Sequence, residues 1–282
     1  MTHKSKKSWL TLFTVLAALL LVIPTFAGAQ TTQAASNNSS VKAIQKRGTI
    51  KIAVFQDLPP YGWVNKKGKL RGYDLALARQ IAKDLGVKTK FVQVNANNRV
   101  DALKANKVDI VLANFTVTPE RKQEVSFADP YMKVSVGVIS KKSKPITKAS
   151  QLKGKDLIVT KGTTAENYFT KQSDITLQKY DSKTQQFNAL KNGRASALAD
   201  DNSYLYAWVK NNPKYTVGIK SIGPKQYIAP AVKKGNKSLL NWTNKEISKL
   251  SKKGFFKDSY NAELKPYFGS EVKASDIIVE SK

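Results

Sequence analysis

The chain has 282 residues, with 48 Lys and Arg against 20 Asp and Glu, a formal charge of +28, one His and no Cys. Without Cys there is no disulfide framework and no thiolate metal site, so a hydrophobic core must hold the fold, and the length suffices for one large or two modest domains. The one histidine, His3, lies in the N-terminal leader, which removes serine–histidine triads and histidine metal sites and leaves carboxylate, lysine and tyrosine chemistry.

The leader itself reads as an export signal over residues 1–29. Lys4, Lys6 and Lys7 precede a mostly apolar run over 10–23, followed by Pro24 and the small triplet Ala27, Gly28 and Ala29, with cleavage expected after Ala29 and a second candidate cut after Ala35. A membrane anchor competes with this reading, but about 20 apolar residues are needed to cross a bilayer and the run falls short. No cysteine follows that could carry a lipid. Residues 30–40, rich in Thr, Gln, Ser and Asn, read as a flexible leader, with order beginning near Val41.

From there, short β-rich runs alternate with helical periods, which predicts an α/β fold built from crossover units. A strand is expected at 50–55 and a helix at 73–85, where Leu75, Leu77, Ala78, Ile81, Ala82 and Leu85 recur at helical spacing. Further strands are expected at 90–94, 110–113 and 134–140, with helices at 99–105 and from Pro119. The lysine-rich, proline-ended stretch 141–145 reads as a boundary. Beyond it, strands at 157–160, 175–180 and 195–199 alternate with helices at 165–171, 184–192 and 203–211. A strand at 227–232 and a helix at 238–251 follow. Two α/β sets with a late return segment suggest two lobes joined by two crossings: 41–140 plus 228–269 as the first lobe, 141–227 as the second, and 270–282 as a terminal appendage.

Four segments could carry chemistry. Thr118 is a good N-cap and Pro119 suits the first helical position. Arg121 then falls in a first turn, where a cation opposes the helix dipole. A guanidinium beside free backbone N–H groups binds a carboxylate bidentately; the alternative is an Arg121 that is solvated or paired with Glu124. Thr163 and Glu166 have capping-box spacing, so Thr164 offers a hydroxyl and an N–H to an anion at another helix start. Asp200 and Asp201 end a predicted strand, where ligands bind in open α/β sheets; Asp200 either pairs with an ammonium or caps the next helix. Phe55, Tyr61 and Trp63 cluster around Pro59 and Pro60, as pocket wall or as packing.

Together these segments resemble the bacterial extracellular solute-binding proteins, family 3, the polar amino-acid binding components of ABC importers. The resemblance spans about residues 41–269 and includes Gly72, Tyr73, Asp74, Leu75, Ala76 and Leu77, with Ala76 where an acid is usual. It implies a periplasmic-binding-protein-like type II fold, two α/β lobes with the ligand cleft between them, and no enzymatic activity, cofactor or metal. It further implies that Arg121 clamps the ligand α-carboxylate, that Thr116 and Asn114 share polar contacts, that Thr164 adds to the carboxylate and that Asp200 takes the α-ammonium. Phe55 stands at the first-strand aromatic position and Tyr61 in the same wall, while Leu58 replaces a common aromatic. The branch most similar is the cystine-type binding proteins of Gram-positive bacteria.

The partners implied are a free amino acid and the permease and ATPase of an importer. The spread of lysines is either a solvated basic surface or a means of electrostatic retention on a polyanion. For an exported chain held at the cell surface by charge, anionic cell-wall polymers or host matrix fit better than nucleic acid. An adhesin role is one alternative to transport, alone or in addition. A dehydratase-like enzyme on the same fold is another, though no acid or base beyond the zwitterion clamp stands out.

Overall fold

The computed structural model describes residues 38–268 and 272–279; the predicted export signal and most of the leader lie outside them. Ser40 accepts the Ala43 N–H and so caps α1 (Val41–Arg47). After β1 (Thr49–Val54), a small antiparallel sheet forms from β2 (Asp57–Leu58), β3 (Gly62–Val64) and β4 (Leu70–Arg71), where only an aromatic cluster is predicted. α2 (Tyr73–Leu85) buries all six apolar positions whose spacing predicts it and ends at Gly86 with φ 71°. β5 (Lys88–Gln93), α3 (Arg99–Lys104), β6 (Ile110–Val111), α4 (Pro119–Glu124) and β7 (Val125–Phe127) follow. As expected, Thr118 caps α4 by accepting the Arg121 N–H at 3.2 Å.

The next set is β8 (Met132–Lys141), β9 (Asp156–Thr160), α5 (Thr164–Phe169), β10 (Thr176–Tyr180), α6 (Lys183–Lys191), β11 (Ala197–Asp201), α7 (Asn202–Lys210) and β12 (Tyr215–Ile228). The chain then returns through β13 (Ala231–Lys233), α8 (Lys237–Lys252) and α9 (Phe255–Ser259). Two five-stranded sheets result, ordered β5-β1-β6-β13-β7 and β10-β9-β11-β8-β12. Each has a parallel trio and an antiparallel return: β13 runs against β6 and β7, and β8 runs against β11 and β12. This is the expected pair of α/β lobes. Because both parallel trios point their C-terminal ends at the space between the sheets, the loops after β1, β6, β9 and β11 meet there.

Three boundaries differ from expectation. The first crossing between lobes lies at residues 128–131, and not at 141, because β8 pairs along its whole length with β11 and β12 in the second sheet. The lysine-rich stretch 141–145 is only the turn at the far end of that strand. The strand expected over 227–232 is two strands, since Ala229 and Pro230 carry the chain from the second sheet into the first. The two crossings lie side by side, with Ala128 N–H donating to Pro230 O at 2.9 Å and Tyr131 N–H to Ile228 O at 3.1 Å. Finally, the C-terminal piece is no loose appendage. Its described residues include α10 (Ala274–Ile277), buried Val272 and Ile277, and a bridge from Ile278 to Met132 at the crossing. Burying those two apolar side chains favours the docked position by a few kcal/mol in total.

Candidate functional site

Asn114 follows β6 in the left-handed region at φ 46°, a conformation that Asn tolerates better than most residues. Its backbone N–H donates to Asp74 Oδ2 at 2.8 Å, and Tyr131 donates its hydroxyl to the other oxygen of Asp74 at 2.7 Å. Burial raises the Asp74 carboxyl to about 7 despite those two bonds. The Asn114 amide nitrogen donates to Asp201 Oδ2 across the cleft at 2.7 Å. An ionised carboxylate only accepts, so the amide orientation is fixed and Asn114 Oδ1 faces elsewhere. That oxygen is buried and has no hydrogen-bond partner among the described residues. An orphan acceptor beside a carboxylate forms a site for a cationic N–H donor.

Asp201 ends β11 and is 7% exposed. Burial, then the neighbouring Asp200, push its carboxyl up to about 6, while Lys183 and Asn114 pull the other way. Asp200 is committed differently. Its Oδ2 accepts from Lys183 Nζ and from Gln186 Nε2, both at 2.6 Å, and its Oδ1 accepts the Asp201 N–H at 2.9 Å.

Two arginines flank the Phe115 ring, Arg99 at 4.6 Å and Arg121 at 4.9 Å from its centroid. Arg99 opens α3 and is buried, donating to the carbonyls of Ala96, Ala113, Asn114 and Gly162 at 2.9–3.0 Å. Burial, and next the charge of Arg121, lower its pKa well below the ordinary value. Arg121 donates to Thr116 O at 2.6 Å and to Gly162 O at 2.8 Å, and the rest of its planar fork has no described protein acceptor. Burial lowers Arg121 to about 10, so it stays cationic at neutral pH.

The cavity between these groups is lined by Phe55, Asn114, Thr116, Thr164 and Asp200 from among the expected residues, and also by Ala96, Arg99, Thr163, Lys183 and Asp201. Its volume is about 10 Å³, room for one water, so a larger ligand enters only when the lobes part. Arg121 is not among the lining residues; it is tied to Arg99, which is, through the shared Gly162 carbonyl and the Phe115 ring between them. Tyr61 is not in the wall. Its fully buried ring directs the hydroxyl to Ser203 Oγ in the other lobe, making it a bridge between lobes. A second bridge runs from Asp57 Oδ2, which accepts the N–H groups of Lys183 at 3.0 Å and Thr184 at 3.3 Å and so caps α6 from the opposite lobe. Larger surface hollows exist, including one of about 340 Å³ beside the crossing and the C-terminal segment, but the convergence of buried charges is here.

A family model described as bacterial extracellular solute-binding proteins, family 3, matches residues 50–266. The chain belongs to that family. Within it, the glutamine-binding protein GlnH of an ABC transporter in Bacillus subtilis is 30% identical over 236 residues, covering 82% of this chain and 86% of that protein. The solute receptor for L-cysteine of Neisseria gonorrhoeae superposes with a TM-score of 0.84 at 50% identity, over 86% of this chain and all of its own. A cysteine-binding protein from Campylobacter jejuni gives the same TM-score at 48% identity, over 86% of this chain and 99% of its own. No helix among the described residues is long and apolar enough to cross a membrane.

Arg99, Lys183 and Asp201 are the site residues that the sequence reading misses. The signal was present for two of them. Arg99 and Lys183 are first residues of helices, cations set against the dipole in the same way as Arg121. Asp201 had only its adjacency to Asp200.

Proposed function

We propose that this chain is the exported, non-enzymatic amino-acid-binding component of an ABC importer, taking a small polar amino acid between its lobes and presenting it to a membrane permease and its ATPase. The observation that carries this reading is the pairing of opposite chemistries around one small cavity: the orphan Asn114 oxygen and the Asp201 carboxylate, set against Arg99 and Thr164 of the lining, with the Arg121 fork joined to Arg99 through the Gly162 carbonyl. An α-amino acid presents the complementary pair, ammonium and carboxylate. In this reading Asp201, not the Asp200 expected from the sequence, receives the ammonium, because Asp200 is already held by Lys183 and Gln186. Thr116 and Phe55 complete the wall. The likeness to cysteine-binding structures supports a short side chain, and the cystine expectation is tested beside it.

Titration calorimetry with L-cysteine, L-cystine and L-glutamine tests the assignment. Arg121→Ala is expected to weaken binding about 30-fold, roughly 2 kcal/mol, as loss of one member of a buried charged contact does. Unchanged affinity in that variant would overturn the clamp. The pH profile gives an independent check. Asp201 must be ionised to hold an ammonium, and its pKa lies near 6 in the folded protein. Affinity is therefore level above that value and falls by up to about tenfold per unit below it. Asp201→Asn is expected to bind weakly and to lose the pH dependence.

Surface retention through the strongly basic composition remains part of the proposal, as a salt-sensitive attraction to anionic polymers. The named relatives are transporter and solute-binding proteins and lend no support to adhesion as the main role.

A further inference from the structure

The cavity holds one charged pair that gripping a zwitterion does not use. Lys183 opens α6 and is 3% exposed, and its Nζ lies 2.6 Å from Asp200 Oδ2 and 5.7 Å from the centre of the Tyr204 ring. Both members of the pair line the cavity. Asp200 is largely committed, with its charge paired to Lys183: one oxygen takes Lys183 and Gln186, and the other takes the Asp201 N–H. Lys183 has donors to spare, since an ammonium carries three N–H groups and the described structure commits one of them to Asp200. Once the α-ammonium occupies Asp201, a ligand side chain in the cavity meets the cations of Arg99 and Lys183, and the remaining carboxylate of the lining, Asp200, is already paired with Lys183. In a buried site of low dielectric, a second ligand cation is strongly repelled there.

We propose that Lys183, held in place by Asp200, is the specificity-determining residue of this site, admitting amino acids whose short side chain is uncharged or anionic and accepts a hydrogen bond, and rejecting those with a cationic side chain. The inference rests on the amino-acid reading above and deepens it. Gln186 supports the device from behind, because its oxygen accepts the Thr160 hydroxyl at 2.6 Å and so turns its N–H toward Asp200. Asp57 supports it from the other lobe by capping the helix start that carries Lys183.

The test is calorimetry of the full chain with L-cysteine under reducing conditions and with L-arginine. Wild type is expected to bind L-cysteine at least 100-fold more tightly than L-arginine. Lys183→Met frees Asp200 to accept a cation, so L-cysteine affinity falls about tenfold, L-arginine affinity rises at least tenfold, and the preference collapses. Lys183→Arg keeps the charge and keeps the rejection of L-arginine. Should Lys183→Met fail to fold, the neutral pair Lys183→Met with Asp200→Asn preserves the packing and is expected to lose part of the discrimination. An unchanged cysteine-to-arginine ratio in the folded uncharged variants would overturn the role of Lys183. Equal wild-type affinity for the two amino acids would overturn it as well while leaving the amino-acid reading intact. Failure of wild type to bind any amino acid would overturn both.

Discussion

Arg99→Met is expected to lower the free energy of unfolding by about 3 kcal/mol and to abolish amino-acid binding with it. A methionine fills much of the volume but donates nothing, so the carbonyls of Ala96, Ala113, Asn114 and Gly162 lose their shared donor in a region that excludes water. Each buried acceptor left unsatisfied costs about 1–3 kcal/mol. Two effects act the other way: the desolvation of a buried guanidinium disappears, and so does its repulsion with Arg121. Their partial offset keeps the expected loss nearer one buried ion than four hydrogen bonds. Binding fails for a separate reason, because Ala113 and Asn114 are the segment that sets the acceptor wall. Denaturant titration measures the first effect, and a loss below about 1 kcal/mol would mean that these carbonyls find other donors.

Gly162→Ala is expected to act on closure of the cleft and hardly at all on the lobes themselves. Gly162 sits between β9 and α5 at φ 73°, and an added Cβ would lie 2.5 Å from Asn97 Cα, 2.7 Å from Asn97 N and 2.8 Å from the carbonyl carbon of Ala96. Those atoms are backbone of the opposite lobe, so no side-chain rotation relieves the overlap. The left-handed conformation adds roughly 1 kcal/mol of strain for a residue with a Cβ. Since Gly162 O is also the acceptor shared by Arg99 and Arg121, holding the lobes apart removes that contact too. Affinity for the amino acid should drop 100-fold or more, and small-angle scattering at saturating ligand should still report the more extended shape. A variant that closes and binds like wild type would show that the two backbones have room to slide.

The lobes and most of their elements were legible because their signals are local. The spacing of Leu75, Leu77, Ala78 and Ile81 belongs to one helix, and the Thr118 and Thr163 caps are made by neighbours three residues away. The lobe boundary was not legible, because whether residues 132–140 join one sheet or the other depends on pairing with β11 and β12, far along the chain. The site divides on the same line. The helix starts after Thr118 and Thr163 single out Arg121 and Thr164 from neighbouring residues, and the family resemblance adds Asn114 and Thr116; of these four, Asn114, Thr116 and Thr164 line the cavity. The proposed choice of Asp201 over Asp200 rests on Lys183 and Gln186, whose approach to Asp200 is tertiary. Tyr61 fails for that reason too: its partner, Ser203, is 142 residues away.

The two bridges from Asp57 and Tyr61 have a bearing on how such a receptor is tuned. They join the lobes through the protein's own groups, to the main chain of α6 and to Ser203, so part of the drive toward closure is independent of the captured molecule. A conformational equilibrium biased in this way shifts the apparent affinity for all ligands by one common factor. Threshold and selectivity thereby become separate dials: Ser203 would set the concentration at which the receptor responds, and Lys183 would set the molecule to which it responds. A sensor built on this chain could be moved along the concentration axis by substitutions at Ser203 with its ranking of amino acids unchanged.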